Sequence, residues 1–134
     1  MRGKPVIRGH AKGKALVSNE PLSFWGGYDY HTGEIIDRRH PLAGEIAAAR
    51  ILAVPFTRGS STTTAVLLEA VRAGTAPAAI VTTGIDSFFA LASIVADEMY
   101  AMPVPIVALS EADFRRLQSG DSLEILEDGT IAKT

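Results

Sequence analysis

The 134-residue sequence contains no cysteine. Without thiols, the chain can form no disulfide framework and supplies no cysteine ligands to a zinc ribbon or an iron–sulfur cluster. A cysteine-free chain fits a reducing compartment, so we expect a cytoplasmic protein. The length is typical of one domain, and we expect a single domain over residues 1–134.

Long hydrophobic runs and an excess of basic charge are also missing. No segment reaches about 18 uninterrupted apolar residues, which argues against a transmembrane helix. Lysine and arginine total 13 against 15 aspartates and glutamates, and the isoelectric point is near 5.9. Nucleic-acid-binding domains are usually basic, so we expect neither a nucleic acid nor a membrane as partner.

Hydrophobic residues, by contrast, make up 47% of the chain. This fraction is high for a small domain, whose large surface relative to its volume favours polar residues. A surface covered by a partner would explain it. Alanine runs such as residues 47–49 also raise the fraction, so both explanations stay open.

The arrangement of apolar segments predicts the fold class. Short strands are predicted over residues 4–8, 14–18 and 34–37. From residue 50 onward, apolar strands (50–56, 78–81, 105–109, 123–126, 130–132) alternate with helices (62–73, 86–100, 111–120). This alternation is typical of a parallel sheet covered by helices, and the early strands and last hairpin add an antiparallel part. We therefore predict an α/β domain of β/β/α type, with a mixed, partly parallel, barrel-like sheet flanked by helices.

The strongest local feature is the loop sequence RGSSTTT at residues 58–64, between a predicted strand and a predicted helix. The first N–H groups of a helix attract anions, and Gly59 lets a ligand approach the backbone. Arg58 adds a cation that binds carboxylates or phosphates, and Ser60, Ser61 and Thr62 add hydroxyl groups. The loop is a candidate anion site, although Ser60 or Ser61 could equally serve only as a helix cap.

Other chemistries find less support in the sequence. A serine hydrolase would require a base, yet His10, His31 and His40 show no recognisable spacing and the G-x-S-x-G pattern is absent. No Gly-Lys-Ser/Thr sequence forms a phosphate-binding P-loop. Scattered acids and histidines predict no metal site.

Two further segments are candidates for a binding site. Ser23, Phe24, Trp25 and Gly26 form an aromatic and glycine-containing loop, which could line a pocket or simply pack in a core or an interface. Asp86 follows a predicted buried strand, where it could cap a helix or lie on the rim of a pocket.

Four segments, in order, resemble the swivel-domain subunit of the aconitase X family. They are LSFWGG at residues 22–27, GEIIDRRHP at 33–41, RGSS at 58–61 and APAAIV at 76–81, and the resemblance covers residues 4–127. More distantly, Gly59-Ser60-Ser61 is similar to the loop that carries the catalytic serine of aconitase. The resemblance implies a swivelling β/β/α domain.

The resemblance also implies a function that is shared between two parts of an enzyme. Members of the family are dehydratases whose large portion holds cysteines and an iron–sulfur cluster, while the small portion closes over the cleft and contributes a serine. In this chain that serine is Ser60, the expected base for the proton next to the substrate carboxylate. A cluster-bearing large subunit is the expected partner, and a small carboxylate is the expected substrate.

The residues around the serine bear on the substrate. In aconitase an arginine follows the two serines and helps to hold a carboxylate, whereas Thr62 occupies that position here, which implies a different substrate. Residues 60–64 and 68–77 resemble enzymes that dehydrate cis-3-hydroxy-L-proline to 1-pyrroline-2-carboxylate. The alternatives are a subunit that dehydrates mevalonate 5-phosphate and a non-catalytic module that only binds anions.

Overall fold

The structure is a computed structural model that describes residues 1–57 and 62–134. Seven strands and three helices lie within these ranges. They are β1 (Lys4–Ile7), β2 (Ala11–Val17), β3 (Ile51–Ala53), α1 (Thr62–Ala73), β4 (Ala79–Thr82), α2 (Ser87–Tyr100), β5 (Ile106–Ala108), α3 (Glu111–Phe114), β6 (Ser122–Ile125) and β7 (Ile131–Lys133). The same residues include no helix long and apolar enough to cross a membrane.

The strands form one mixed sheet in the order β1-β5-β4-β3-β2-β6-β7. Strands β2, β3, β4 and β5 are parallel, whereas β1, β6 and β7 pair antiparallel. The residues before β1 also pair with the β6–β7 hairpin, since Gly3 N–H donates to Gly129 O at 2.9 Å and Ile131 N–H to Met1 O at 2.7 Å. The curled sheet confirms the predicted mixed, partly parallel, barrel-like α/β fold.

The central strands are buried on both faces. In β3, Ile51 and Ala53 face one hydrophobic core, and Leu52 faces the other. The core that contains Leu52 lies between the sheet and the helices α1 and α2. The core that contains Ile51 and Ala53 lies inside the curl of the sheet, where Phe114 of α3 also packs. Strands buried on both faces are expected to be continuously apolar, which explains why β3 and β4 were recognisable in the sequence.

Aromatic side chains link the loop after β2 to the helix side of the sheet. The rings of Phe24 and Tyr28 stack with centroids 4.6 Å apart, and Phe24 meets Phe89 of α2 edge to face at 5.2 Å. The hydroxyl of Tyr28 donates to the carbonyl oxygen of Thr75 at 2.8 Å, and burial raises the pKa of Tyr28 well above its ordinary value. This segment is therefore part of the core although it has no regular secondary structure.

Several predicted elements differ from the structure in their extent. The strand predicted over residues 50–56 is only Ile51–Ala53, and β2 begins at Ala11 rather than at residue 14. The helix predicted over residues 111–120 is a single turn, because the buried Phe114 and Leu117 turn back into the core and Gly120 adopts a φ of 93°. The strand predicted at residues 34–37 is replaced by isolated bridges. Its partners are other loop residues rather than a strand, as when Ile35 N–H donates to Glu45 O at 2.9 Å.

Substitutions of the neighbouring aromatics Phe24 and Trp25 are predicted to have different effects on the free energy of unfolding. Phe24 is fully buried, and Trp25 is 71% exposed. We expect Phe24→Ala to lower the free energy of unfolding by about 3–5 kcal/mol, because it leaves a cavity in the core. Trp25→Ala, the matched control, should change it by less than about 0.5 kcal/mol. Urea denaturation measures both, and equal losses would contradict the assignment of Phe24 to the core.

Candidate functional site

The candidate site lies at the edge of the sheet where the parallel strands end. Because β3, β4 and β5 are parallel, the segments that follow them meet at one edge. The segment after β3 leads into α1, the one after β4 into α2 and the one after β5 into α3. Open α/β sheets bind ligands at such an edge, since helix N-termini and loop residues converge there.

The predicted hydroxyl-rich loop connects β3 to α1 at this edge. Arg58, Gly59, Ser60 and Ser61 lie outside the described residues, so their roles stay predictions. The residues on either side are described: Thr57 is buried, and Thr62 is the first residue of the twelve-residue helix α1. The predicted strand–loop–helix order around the loop is therefore confirmed at both of its ends.

The residue before the loop is held by a carboxylate of the neighbouring connection. Asp86 Oδ2 accepts hydrogen bonds from the N–H of Thr57 at 2.7 Å and from its hydroxyl at 2.8 Å. Asp86 Oδ1 accepts from the N–H groups of Phe88 and Phe89 at 3.0 and 3.2 Å, which confirms Asp86 as the N-cap of α2. Both Asp86 and Thr57 are buried, so these bonds are shielded from water.

The first turns of α1 and α2 are also in contact. Thr64 donates its hydroxyl hydrogen bond to the carbonyl oxygen of Phe88 at 3.2 Å. The hydroxyl of Thr63 is buried and has no hydrogen-bond partner among the described residues. Thus the start of α1, which follows the loop, packs on the same turn of α2 that Asp86 caps.

The predicted aromatic segment begins beside Thr57, the residue before the loop. Leu22 forms a parallel bridge with Thr57, which brings the residues that follow it to the same edge of the sheet. The hydroxyl of Ser23 donates to Trp25 O at 3.2 Å, and Gly26 has a φ of 71°, a conformation that favours glycine. Phe24 is buried in the core, so its side chain supports this segment from within rather than facing a ligand.

Exposed apolar side chains surround the edge. Trp25, Phe56 and Ile85 are 71%, 52% and 61% exposed. Phe56 and Ile85 follow the neighbouring strands β3 and β4, and Trp25 lies three residues after Leu22, so all three belong to the same edge; we call them the apolar rim. A cleft of about 390 Å³ opens beside Phe56. Its lining residues are Asn19, Pro55, Phe56, Thr83, Glu111, Phe114 and Arg115.

Titratable groups elsewhere are engaged in other contacts. His10 lies 2.6 Å from Glu124, and this hydrogen bond lowers the pKa of the Glu124 carboxyl. The Nδ1 atom of the buried His40 accepts from Leu42 N–H at 3.1 Å. Within residues 1–57 and 62–134, these two histidines therefore bond to groups other than Thr57 and Asp86.

The residues present do not fit an iron–sulfur cluster. The chain has no cysteine, and no group of three histidines, aspartates or glutamates suited to a metal ion occurs within residues 1–57 and 62–134. A cluster would therefore need ligands from another polypeptide segment.

Sequence reasoning missed two features of this edge. Thr57 follows an apolar run and carries no motif, so nothing in the sequence indicated that it binds Asp86. Phe56 lies in the strand predicted over residues 50–56, and Ile85 lies between a predicted strand and a predicted helix, so the sequence did not indicate that they are exposed. They are exposed in the structure, where β3 and β4 end before them.

Comparison with known proteins identifies relatives along the whole chain. Residues 1–133 match the family model described as the aconitase X swivel domain. The chain is 44% identical over 108 residues to the cis-3-hydroxy-L-proline dehydratase of Pseudomonas aeruginosa, a match that covers 81% of this chain and 19% of that protein. The chain thus spans about a fifth of the length of that relative.

A second relative has a similar length. The phosphomevalonate dehydratase small subunit of Methanothermobacter thermautotrophicus is 35% identical, and the match covers 96% of this chain and 92% of that protein. Among solved structures, the holo-form of Thermococcus kodakaraensis aconitase X superposes with a TM-score of 0.86 at 27% identity, covering 98% of this chain and 95% of that one. The superposition on aconitase X therefore includes nearly every helix and strand of this chain.

Proposed function

Because the chain belongs to the aconitase X swivel-domain family, we propose that it is the small subunit of a dehydratase. In this proposal the active site is completed by a large subunit. The observation that carries it is the match over residues 1–133 together with the place of the Gly-Ser-Ser sequence, between β3 and α1 at the carboxyl edge of the parallel strands.

Ser60 is the proposed catalytic residue. Its alkoxide takes the proton from the carbon next to the substrate carboxylate, and the C–H electron pair forms a double bond to the adjacent carbon. Hydroxide leaves that carbon, so that the proton and the hydroxide together account for the loss of one water. A free serine hydroxyl is a poor base, so its alkoxide must be stabilised by positive charge. The N-terminus of α1 and the guanidinium of Arg58 are the groups that would supply this stabilisation.

The remaining predicted residues take part in substrate binding in this proposal. Gly59, Ser61 and Thr62 flank Ser60 and offer N–H and hydroxyl donors to a carboxylate. Ser23, Trp25 and Gly26 are assigned to the same edge, because Leu22, which precedes them, bridges to Thr57. Phe24 contributes indirectly, since it fixes their backbone from the core.

The proposed substrate is cis-3-hydroxy-L-proline. The higher identity to a dehydratase named for this substrate, 44% against 35% for the phosphomevalonate dehydratase small subunit, favours it. Mevalonate 5-phosphate is the alternative, because that relative matches this chain over nearly its full length.

The proposed partner is a large subunit that holds an iron–sulfur cluster. The chain has no thiolate to offer, so the cluster ligands would lie on that partner. We assign the apolar rim of Trp25, Phe56 and Ile85 to the interface, because these exposed side chains surround the edge that the partner must cover to complete the site.

Reconstitution tests the function. The isolated chain should be inactive, and addition of its large subunit should produce dehydration of cis-3-hydroxy-L-proline. Ser60→Ala should lower kcat by at least about 100-fold, since a general base contributes about that much or more. Loss of activity in Ser61→Ala but not in Ser60→Ala would move the base to Ser61, and full activity of both variants would contradict a serine base.

The same complex distinguishes the two substrates. We expect a kcat/KM for cis-3-hydroxy-L-proline at least about 100-fold above that for mevalonate 5-phosphate, because a site built for one polar substrate leaves groups unpaired with the other. The opposite ratio would favour the alternative substrate. A complex inactive on both, in which the chain still binds anions, would favour the non-catalytic module.

The apolar rim can be tested with a matched pair of substitutions. Ile85 and Met99 are 61% and 60% exposed and lie at opposite ends of α2. We expect Ile85→Ser to raise the Kd for the large subunit by about tenfold or more, because a central apolar contact is lost. Met99→Ser should leave the Kd within about threefold. Titration calorimetry measures both, and equal effects would contradict the assignment of the rim.

A further inference from the structure

We infer that Asp86 is a positioning residue for the dehydration, acting through Thr57 on the loop that carries Ser60. This inference rests on the proposed function. Its structural basis is a buried carboxylate that accepts hydrogen bonds from both donors of Thr57, the residue immediately before the loop.

Asp86 accepts more hydrogen bonds than the N-cap of a helix requires. Capping α2 requires only Oδ1, which accepts from Phe88 and Phe89. The second oxygen is free to face solvent in an ordinary N-cap, but here it accepts two hydrogen bonds from another segment of the chain. Asp86 therefore joins the N-terminus of α2 to the connection between β3 and α1.

The arrangement suits the two acceptor oxygens of a carboxylate. Among the described residues, three N–H groups and the Thr57 hydroxyl donate to Asp86, two to each oxygen. Hydrogen bonds to a charged acceptor are about twice as strong as neutral ones, and burial strengthens them further. An asparagine would turn an N–H₂ group toward donors on one side, so the amide cannot replace the carboxylate.

Both ends of the loop are tied to the same turn of α2. Before the loop, Thr57 binds Asp86 and also bridges to Leu22. After the loop, Thr64 binds the carbonyl oxygen of Phe88, whose own N–H donates to Asp86. Because a displacement of about 1 Å can cost about 100-fold in rate, fixing these ends is a means of placing the serine for reaction.

The test compares Thr57→Val, Thr57→Ser and Asp86→Asn in the complex with the large subunit. Thr57→Val removes the hydroxyl donor but retains the shape, and Thr57→Ser retains the donor. Ser93→Ala is the matched control: buried Ser93 links α2 to the residues before β5, at the opposite edge, by bonds of 2.7 and 2.8 Å with Val104. Measurements are kcat, KM, melting temperature and the Kd between subunits.

We expect Thr57→Val and Asp86→Asn to lower kcat by about tenfold or more, with KM and the subunit Kd within about twofold. Thr57→Ser should restore kcat close to that of the wild type. Ser93→Ala should lower the melting temperature without lowering kcat. The double variant of Thr57→Val and Asp86→Asn should lose little more kcat than Asp86→Asn alone, because the two residues act through one contact.

Other results would overturn the inference in distinguishable ways. If Thr57→Val lowers the melting temperature as Ser93→Ala does but keeps kcat, the contact is only structural. If Asp86→Asn does not fold, the comparison of Thr57→Val with Thr57→Ser still tests whether the contact affects kcat. If the wild-type complex is active, Ser60→Ala is inactive and Thr57→Val is unaffected, this inference is wrong and the proposed function stands. An inactive wild-type complex removes the proposed function and the inference together.

Discussion

The fold depends on the burial of the central strands on both faces. Each of β3 and β4 sends alternate side chains into two cores, so neither strand can shift by one residue without exchanging the two sets. Their register fixes where each strand ends, and the connections to α1 and α2 therefore start side by side. The contact between Thr57 and Asp86 is a consequence of that alignment, since each lies shortly after one of these strands.

Much of this architecture was predictable because burial leaves a clear pattern in the sequence. The helix over residues 62–73 was predicted with its observed bounds, because apolar residues recur at helical spacing and Gly74 follows it. The segment after Phe24 was harder. Its bridges connect one loop to another, and such pairs leave no periodicity. Similarly, the helix predicted from residue 111 does begin there, with Ser110 as its N-cap, but the early end of α3 is set by Phe114 and Leu117, which pack into the core.

The place of the candidate loop in the order of strands and helices was predictable, whereas the roles of its residues stay predictions. A glycine and hydroxyls between a strand and a helix are typical both of an anion site and of a helix cap, which is why residues 58–64 were a candidate from the sequence. The second bonding partner of Asp86 could not be predicted. Nothing local distinguishes an aspartate that only caps a helix from one that also binds a threonine 29 residues earlier in the chain. Such long-range hydrogen bonds follow from the strand order, which is known only once the sheet has formed.

The attachment of Thr57 and Thr64 to one turn of α2 has a consequence for how this fold can diversify. Because Thr57 and Thr64 both bind the start of α2, the distance between these two residues is set by α2 and not by the residues in between. An insertion or a deletion among residues 58–61 would therefore have to be absorbed within that short interval, whereas an exchange of side chains leaves the supports untouched. Under the proposed function, changes in substrate preference would thus be more accessible through residue identity than through loop length, which makes residues 58–61 a target for combinatorial redesign at constant length.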